Sequence, residues 1–414
     1  SAVGLMIRQL RAAGGKPVLG TVWIAKHVDQ NYAPRTPANV TLNFMELLAQ
    51  GAIPQVHVQN ALEVDATLLP VLSRLYADAG RLLPWLADSA PVAHVGLLDW
   101  ATLDRPADFL DASLRGAYKA LLEAHLPVTL VTPAQISMTD CKVLVLANAR
   151  AMEDATIAAI EGFVQRGGGL VMTYQTILGN ERLAKLAGIH RIASVRKADG
   201  EFPLHTYYRV TEREGAWGAL VGGLRSFQGS FESVEPQAGT RVLGHMLGFD
   251  SDRRSDQHIL QVTWPGEAIA PLATERRLGD ARVVYIAPDR CAAARRYGDA
   301  DSLAVLATAV RAASSDPPPL VVENVPPSVE VTIHRSQRGV AVVLVNQTSN
   351  QYLADPVRYV VPIHEARLTL DCGRKKVRSV RTVTGSELHW HQVDDRLDLT
   401  LPRLGDYEGI LIEQ

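Results

Sequence analysis

The sequence predicts an α/β chain with parallel strands as far as Ala313 and an all-β domain after it, and three observations carry that reading. Short apolar segments alternate with segments of helical periodicity over most of the chain, the pattern of βα units. Asp316-Pro317-Pro318-Pro319 then interrupts, because consecutive prolines cannot continue a helix and favour extended backbone. Beyond the prolines the apolar residues recur with period two between frequent turn residues.

Element by element, Pro17 to Ala25 is apolar and β-branched and reads as a strand. Ala38 to Gln50 carries Val40, Phe44, Leu47 and Leu48 at helical spacing, and Gly51 stops that helix. Ala52 to Val58 alternates as a second strand, and Ala66 to Leu86 is an amphipathic helix with Leu68, Leu69, Leu72, Leu75 and Leu82 on or near one stripe. This βαβα order predicts parallel strands. From Pro91 the alternation repeats: strands at Ala93 to Leu98, Val128 to Val131, Lys142 to Ala147 and Gly169 to Tyr174, helices at Ala112 to His125 and Asp154 to Arg166. Such uninterrupted apolar strands between helices indicate a sheet covered on both faces. From about Asn180 to Asp280 short strands and Gly-rich turns read as an elaboration of that domain, closed by the strand Arg282 to Ala287 and the helix Ser302 to Ala313. After the prolines, strands are expected at Val329 to Ile333, Val340 to Val345, Tyr359 to Pro362, Arg367 to Leu370, Val377 to Val383, Leu397 to Leu401 and Ile410 to Ile412, a density that suits a β-sandwich.

Composition bounds the function classes. The 414 residues are 47% hydrophobic and 21% charged, and no run approaches the ~20 apolar residues of a spanning helix, so a membrane protein of that kind is not expected. Forty-two basic against 44 acidic residues leave a formal charge of −2, which gives no global field for nucleic acid or an anionic membrane. Cys141, Cys291 and Cys372 are far apart and odd in number, which argues against a disulfide framework or a thiolate zinc site and fits a cytoplasmic protein. The chain opens at Ser1 with neither an initiator Met nor a signal-peptide pattern, so a processed chain or a portion of a longer one is expected.

Candidate sites are few. Gly167-Gly168-Gly169 ends a helix and enters a strand, whereas phosphate-cradling glycines follow a strand and open a helix, so a structural turn is expected. The strand-to-helix turn after Gly169 to Tyr174 reads Tyr174-Gln175-Thr176 and holds no nucleophile, Cys141 precedes its strand, and Cys291 has no evident His partner. His389 and His391 with Asp394 and Asp395, and His245, Asp250, Asp252, Asp256 and His258, have no recognised ligand spacing; exposed polar segments are expected and no metal. The loop after the first strand is richer, with Trp23, Lys26, His27, Asp29, Asn31, Tyr32 and Arg35. Trp23 and Tyr32 could stack on a sugar ring, and Arg35 or Asn31 could bond its hydroxyls; the alternative is a solvated loop with Arg35 held for packing. A glycosidase needs two carboxylates, and among Asp29, Glu46, Glu63 and Asp65 no convincing pair stands out.

Tyr32-Ala33-Pro34-Arg35-Thr36-Pro37, then Leu48-Ala49-Gln50-Gly51-Ala52-Ile53-Pro54, resembles the passage from the seventh to the eighth strand of the (β/α)8 barrel in bacterial family 42 glycoside hydrolases. Lys142 to Asn148 and Phe163 to Tyr174 are similar to the β-galactosidase trimerisation domain of that family, a flavodoxin-like relative of class I amidotransferases without the catalytic Cys. Pro317 to Pro319, Val329 to Arg335 and Val340 to Thr348 resemble its C-terminal β domain. The resemblance implies the end of a barrel over residues 1–90, a flavodoxin-like domain over 91–316 and a β-sandwich over 317–414. It implies a glycoside hydrolase homologue acting by retaining double displacement without a cofactor, a carbohydrate ligand and a homotrimer. Trp23, His27, Tyr32 and Arg35 would supply part of the substrate wall. The acid/base carboxylate would lie upstream of Ser1, and Trp23 to Asp29, where the nucleophile belongs, holds no Glu. A second expectation, from another class, is a carbohydrate-binding or oligomerisation protein that does not hydrolyse.

Overall fold

The computed structural model describes residues 2–14, 17–25, 35–58, 66–100, 112–150, 152–195, 205–250, 264–348 and 357–414. The chain divides into two units, one of Ser1–Ala93, His125–Thr129 and Pro318–Gln414, the other of His94–Ala124 and Leu130–Pro317. No helix among the described residues is long and apolar enough to cross a membrane.

The first unit opens with α1 (Ala2–Gly14), β1 (Leu19–Trp23), α2 (Pro37–Ala49), β2 (Ile53–His57), α3 (Leu69–Leu86) and β3 (Ala90–Pro91). Helix α2 begins where the Thr36 hydroxyl accepts from the Asn39 amide at 3.2 Å and Pro37 presets the first turn. It ends at Gly51, whose φ of +79° is left-handed and where a Cβ would collide with the Arg11 guanidinium. Strands β1 and β2 pair in parallel, with Leu19 opposite Ile53 and Trp23 opposite His57, as the βαβα order predicts. Val22 and Ile24 are buried, while Leu19 and Ile53, on the opposite face, are 65% and 42% exposed. Helix α1 has no counterpart among the expected elements.

The second unit contains β4 (Val95–Leu98), α4 (Ala112–Glu123), β5 (Val128–Val131), which begins in the first unit, β6 (Val143–Ala147), α5 (Asp154–Gln165), β7 (Gly169–Thr173) and α6 (Glu181–Ala187). It continues with β8 (Ile189–Val195), β9 (His205–Val210), β10 (Arg225–Gln228), β11 (Phe231–Pro236), β12 (Thr240–Asp250), β13 (Trp264–Leu278), β14 (Ala281–Ile286), α7 (Arg290–Tyr297) and α8 (Ala300–Ala313). Among the described residues nine strands make one sheet in the order β10-β9-β12-β13-β14-β7-β6-β4-β5, and β8 pairs separately with β11. Strands β14, β7, β6 and β4 run parallel, and the stretch read as an elaboration extends this sheet with antiparallel strands. Every residue of β6 and β7 is buried. Leu144, Leu146, Leu170 and Met172 join Ile157, Ile160, Phe163 and Val164 of α5 in one core, so the apolar strands are two-faced because helices cover both sides.

The first unit resumes with β15 (Leu320–Glu323), β16 (Val329–Ser336), β17 (Gly339–Asn346), β18 (Ile363–Asp371), β19 (Ser379–Thr382), β20 (His389–Val393), β21 (Arg396–Leu404) and β22 (Tyr407–Glu413). One sheet has the order β15-β18-β21-β20 and the other β19-β22-β17-β16-β3. Strand β17 separates two cores. Val340, Val342 and Leu344 join Leu368 and Leu370 of β18 and Leu397 and Leu399 of β21, in the facing sheet. Ala341, Val343 and Val345 meet Val40, Phe44, Leu48, Leu75 and Leu82 of α2 and α3. Full burial of such side chains contributes about 1.5–3 kcal/mol each.

A polar seam also ties α2 to β16. The last carbonyls of a helix lack intrahelical partners, and Ala49 O accepts from Thr332 Oγ1 at 2.9 Å and from His334 Nε2 at 2.8 Å. Gln50 bridges Arg8 Nε, 2.6 Å from its Oε1, to the buried Glu330 carboxylate. Burial pushes the His334 imidazole down to about 4, with the Ala49 carbonyl opposing and Arg8 and Arg11 assisting the shift. The expected strand at Tyr359 to Pro362 is not one: the Val361 carbonyl accepts from Asn346 Nδ2 at 2.8 Å and Thr348 Oγ1 at 3.1 Å instead of a ladder partner, and Pro362 has no N–H to offer.

Candidate functional site

The carboxyl ends of β1 and β2 bring aromatic and cationic side chains together. Trp23 and His57 are the last residues of their strands and lie opposite each other in the register, on the face that also bears the exposed Leu19 and Ile53. Their ring centroids are 4.3 Å apart with planes tilted by 43°, and the indole is 37% exposed. An aromatic pair of this kind offers an apolar face for stacking and a polar N–H edge.

Arg35 sits between this strand end and α2. Its amide donates to Ile24 O at 2.6 Å, its Nε to Ala25 O at 3.0 Å and its Nη1 to Asn39 Oδ1 at 3.2 Å. These bonds fix the chain where it leaves β1, and they hold a positive charge beside Trp23's strand. Of the four residues singled out in the sequence, Trp23 and Arg35 therefore lie at one end of the β1–β2 sheet, while His27 and Tyr32 lie outside the described residues. His57 was not singled out; the parallel register is the signal that finds it, because it sets the last residues of β1 and β2 side by side.

Glu46 is buried within α2, away from any strand end, and Asp29, Glu63 and Asp65 lie outside the described residues. Among the described residues no cluster of His, Cys, Asp or Glu could hold a metal ion. His389 and His391 are exposed on β20, and the larger part of the His245 to His258 set is outside the described residues.

In the second unit the glycine run is a helix terminator. Gly167, φ +89°, donates to Val164 O at 2.9 Å and Gly168 to Phe163 O at 3.1 Å, the paired bonds of a Schellman motif. Cys141, Cys291 and Cys372 are buried; burial pushes the Cys141 and Cys372 thiols up, which suppresses the nucleophilic thiolate. Tyr174, at the turn after β7, has a φ of +50°, and its carbonyl accepts from the Tyr285 hydroxyl at 2.7 Å. Burial, then the nearby Glu232 carboxylate, push that phenol up. Gln175 Nε2 donates to the fully buried Glu232 at 3.0 Å, and Arg191 Nε and Ser194 Oγ donate to the same carboxylate at 2.6 Å each.

Residues 99–188 match the family model described as the β-galactosidase trimerisation domain. The chain is similar in fold to α-L-fucosidase isoenzyme 2 from Paenibacillus thiaminolyticus, with TM-score 0.78, 17% identity, and coverage of 99% of this chain and 63% of that one. It is also similar to a β-galactosidase from Bacillus circulans sp. alkalophilus, with TM-score 0.66, 16% identity and coverage of 99% and 57%. A catalytic mutant of a family 42 β-galactosidase from G. stearothermophilus gives 0.61, 16%, and coverage of 100% and 57%. The chain thus spans less than two thirds of the length of each of these structures. No curated protein matches it in sequence. The domain match covers residues 99–188, and the likeness in fold extends over a chain of mixed α/β architecture with large sheets.

Proposed function

We propose that the chain is part of a glycoside hydrolase that acts by retaining double displacement on β-galactosides or related glycosides. In this reading β1, α2, β2 and α3 are the end of a (β/α)8 barrel, the second unit is a flavodoxin-like oligomerisation domain that makes a homotrimer, and β15 to β22 form a β-sandwich. The observation that carries it is the Trp23–His57 pair at the carboxyl ends of two parallel strands, where barrel active sites are built. The exposed face bearing Leu19, Ile53 and Trp23 supports the same reading, since a two-stranded parallel sheet covered on one side only is half of a packed structure.

Trp23 would stack on the apolar face of a sugar ring, His57 would hold the indole at its tilt, and Arg35, with His27 and Tyr32, would complete the wall. The carboxylate pair would come from polypeptide beyond these two strands, because Leu19 to Val28 contains no Asp or Glu. A non-hydrolysing carbohydrate-binding or oligomerisation protein is the second reading, favoured by that same gap. The test is a polypeptide extended upstream of Ser1, assayed against chromogenic β-galactosides and α-L-fucosides. Turnover that disappears when one of the supplied carboxylates is neutralised supports hydrolysis. An extended protein with an intact carboxylate pair and no turnover, yet with saturable glycan binding, establishes the second reading. Light scattering that gives a monomer at micromolar concentration counts against the trimer.

A further inference from the structure

A second place in the molecule has the makings of a ligand site, and it lies wholly within the second unit. In the order β7-β6-β4-β5 the chain leaves β4 for its neighbour on one side, while β6 is followed by β7 on the other. Diverging connections of this kind open a crevice at the carboxyl ends of the two strands, the place where open α/β sheets bind ligands. Asp99 and Trp100 follow β4, Asn148 and Arg150 follow β6, and Ser113 lies in the first turn of α4.

Asn148 is held there on every side but one. Its φ is +51°, its amide donates to Thr173 Oγ1 at 2.9 Å, and the next amide, of Ala149, donates to Thr176 Oγ1 at 3.1 Å. Its side-chain Nδ2 donates to Ser113 Oγ at 3.3 Å, and Ser113 directs its own proton to Asp289, 3.0 Å away. Ser113 must therefore accept from Asn148, which fixes which way the amide faces. The remaining atom, Asn148 Oδ1, is buried and has no hydrogen-bond partner among the described residues. An unsatisfied buried carbonyl costs about 1–3 kcal/mol, and here four hydrogen bonds orient the group that bears it. Beside it stands Arg150, exposed at its tip and held by one bond from Nη1 to Gln175 Oε1 at 3.1 Å.

We infer that this crevice binds a neutral, hydroxylated ring, a monosaccharide, at a site separate from the β1–β2 end. A sugar hydroxyl is the donor that Asn148 Oδ1 lacks, and a second sugar oxygen is the acceptor for Arg150. Trp100, half-buried against the sheet core, supplies apolar surface of the kind that takes the C–H face of a pyranose.

The experiment is a calorimetric titration of the chain with D-galactose to about 50 mM, well into the range where a millimolar site saturates. Asn148→Gly keeps the left-handed backbone and removes the amide; Arg150→Ala removes only a side chain exposed at its tip, and a thermal melt checks that both variants fold. Saturable binding weakened at least about tenfold in both variants bears the inference out. Binding unchanged in both places the sugar elsewhere and overturns this site while leaving the barrel-end reading intact. No binding by the native chain also overturns it, and the hydrolase reading is then decided separately by the extended polypeptide.

Discussion

Two sets of parallel strands end in opposite styles in this molecule. At β1 and β2 the ends are aromatic, partly exposed and tied down by a few bonds from Arg35. At β6 and β7 they are polar and hydrogen-bonded, with Thr173 and Thr176 accepting from the amides of Asn148 and Ala149, and Gln175 donating to Glu232. The contrast separates two ways of preparing a surface. Stacking needs shape and apolar area and tolerates imprecise angles, whereas hydrogen bonding needs groups locked in direction before a ligand arrives. Support comes from different places too: a helix layer on a β-domain holds the first, and buried charge holds the second.

Four measurements probe that difference, from the largest effect downward. Phe44 is fully buried under β1 and against β17, so Phe44→Ala should cost about 3–5 kcal/mol in denaturant unfolding of the first unit and loosen the aromatic end with it. Glu232→Ala strips the acceptor from Gln175, Arg191 and Ser194 and should cost about 3 kcal/mol in the second unit; an unchanged midpoint would mean that the network is ornamental.

Acid should act on both units. His334 is buried neutral, so the unfolded chain binds the extra proton first: its contribution is complete above pH 6.5 and disappears as pH falls to about 4, a loss of about 3 kcal/mol. His94 is likewise pushed down to about 4, chiefly by burial, with Asp316 opposing and Lys142 assisting. Unfolding followed between pH 7 and 4 should therefore lose its slope in part in His334→Gln, and a full slope in that variant would assign the effect to His94. The smallest effect on stability belongs to Trp23→Ala, below about 1 kcal/mol because the ring is partly exposed, while glycan binding by the extended protein should fall at least about tenfold.

How much of this was legible in the sequence depended on whether the cause was local. The stop of α5 at Gly167 and the two-faced strands Val143–Ala147 and Gly169–Thr173 follow from neighbouring residues, and they are where the pattern puts them. The apolar run at Val340 to Val345 announced a strand. It did not announce that one face would meet a second sheet and the other the helices of the first ninety residues, because that depends on chain almost 300 positions away. The aromatic end was half legible for the same reason: Trp23 stands out at the end of its strand, but His57 gains meaning only from register. The buried oxygen of Asn148 could not be read at all, since it is defined by what Ser113, Thr173 and Thr176 leave over.

The strand β17 also sets a timetable for synthesis. Val40, Phe44 and Leu48 leave the ribosome well before the surface that covers them, on β17 and β22, which is made only after the whole second unit. At about 5–20 residues per second that is a wait on the order of fifteen to seventy seconds with an apolar helix face in water. The second unit, continuous but for a few residues, can fold meanwhile. The nascent chain is thus vulnerable to aggregation through this helix face until β17 and β22 are made, and a chaperone bound there would have to stay until then.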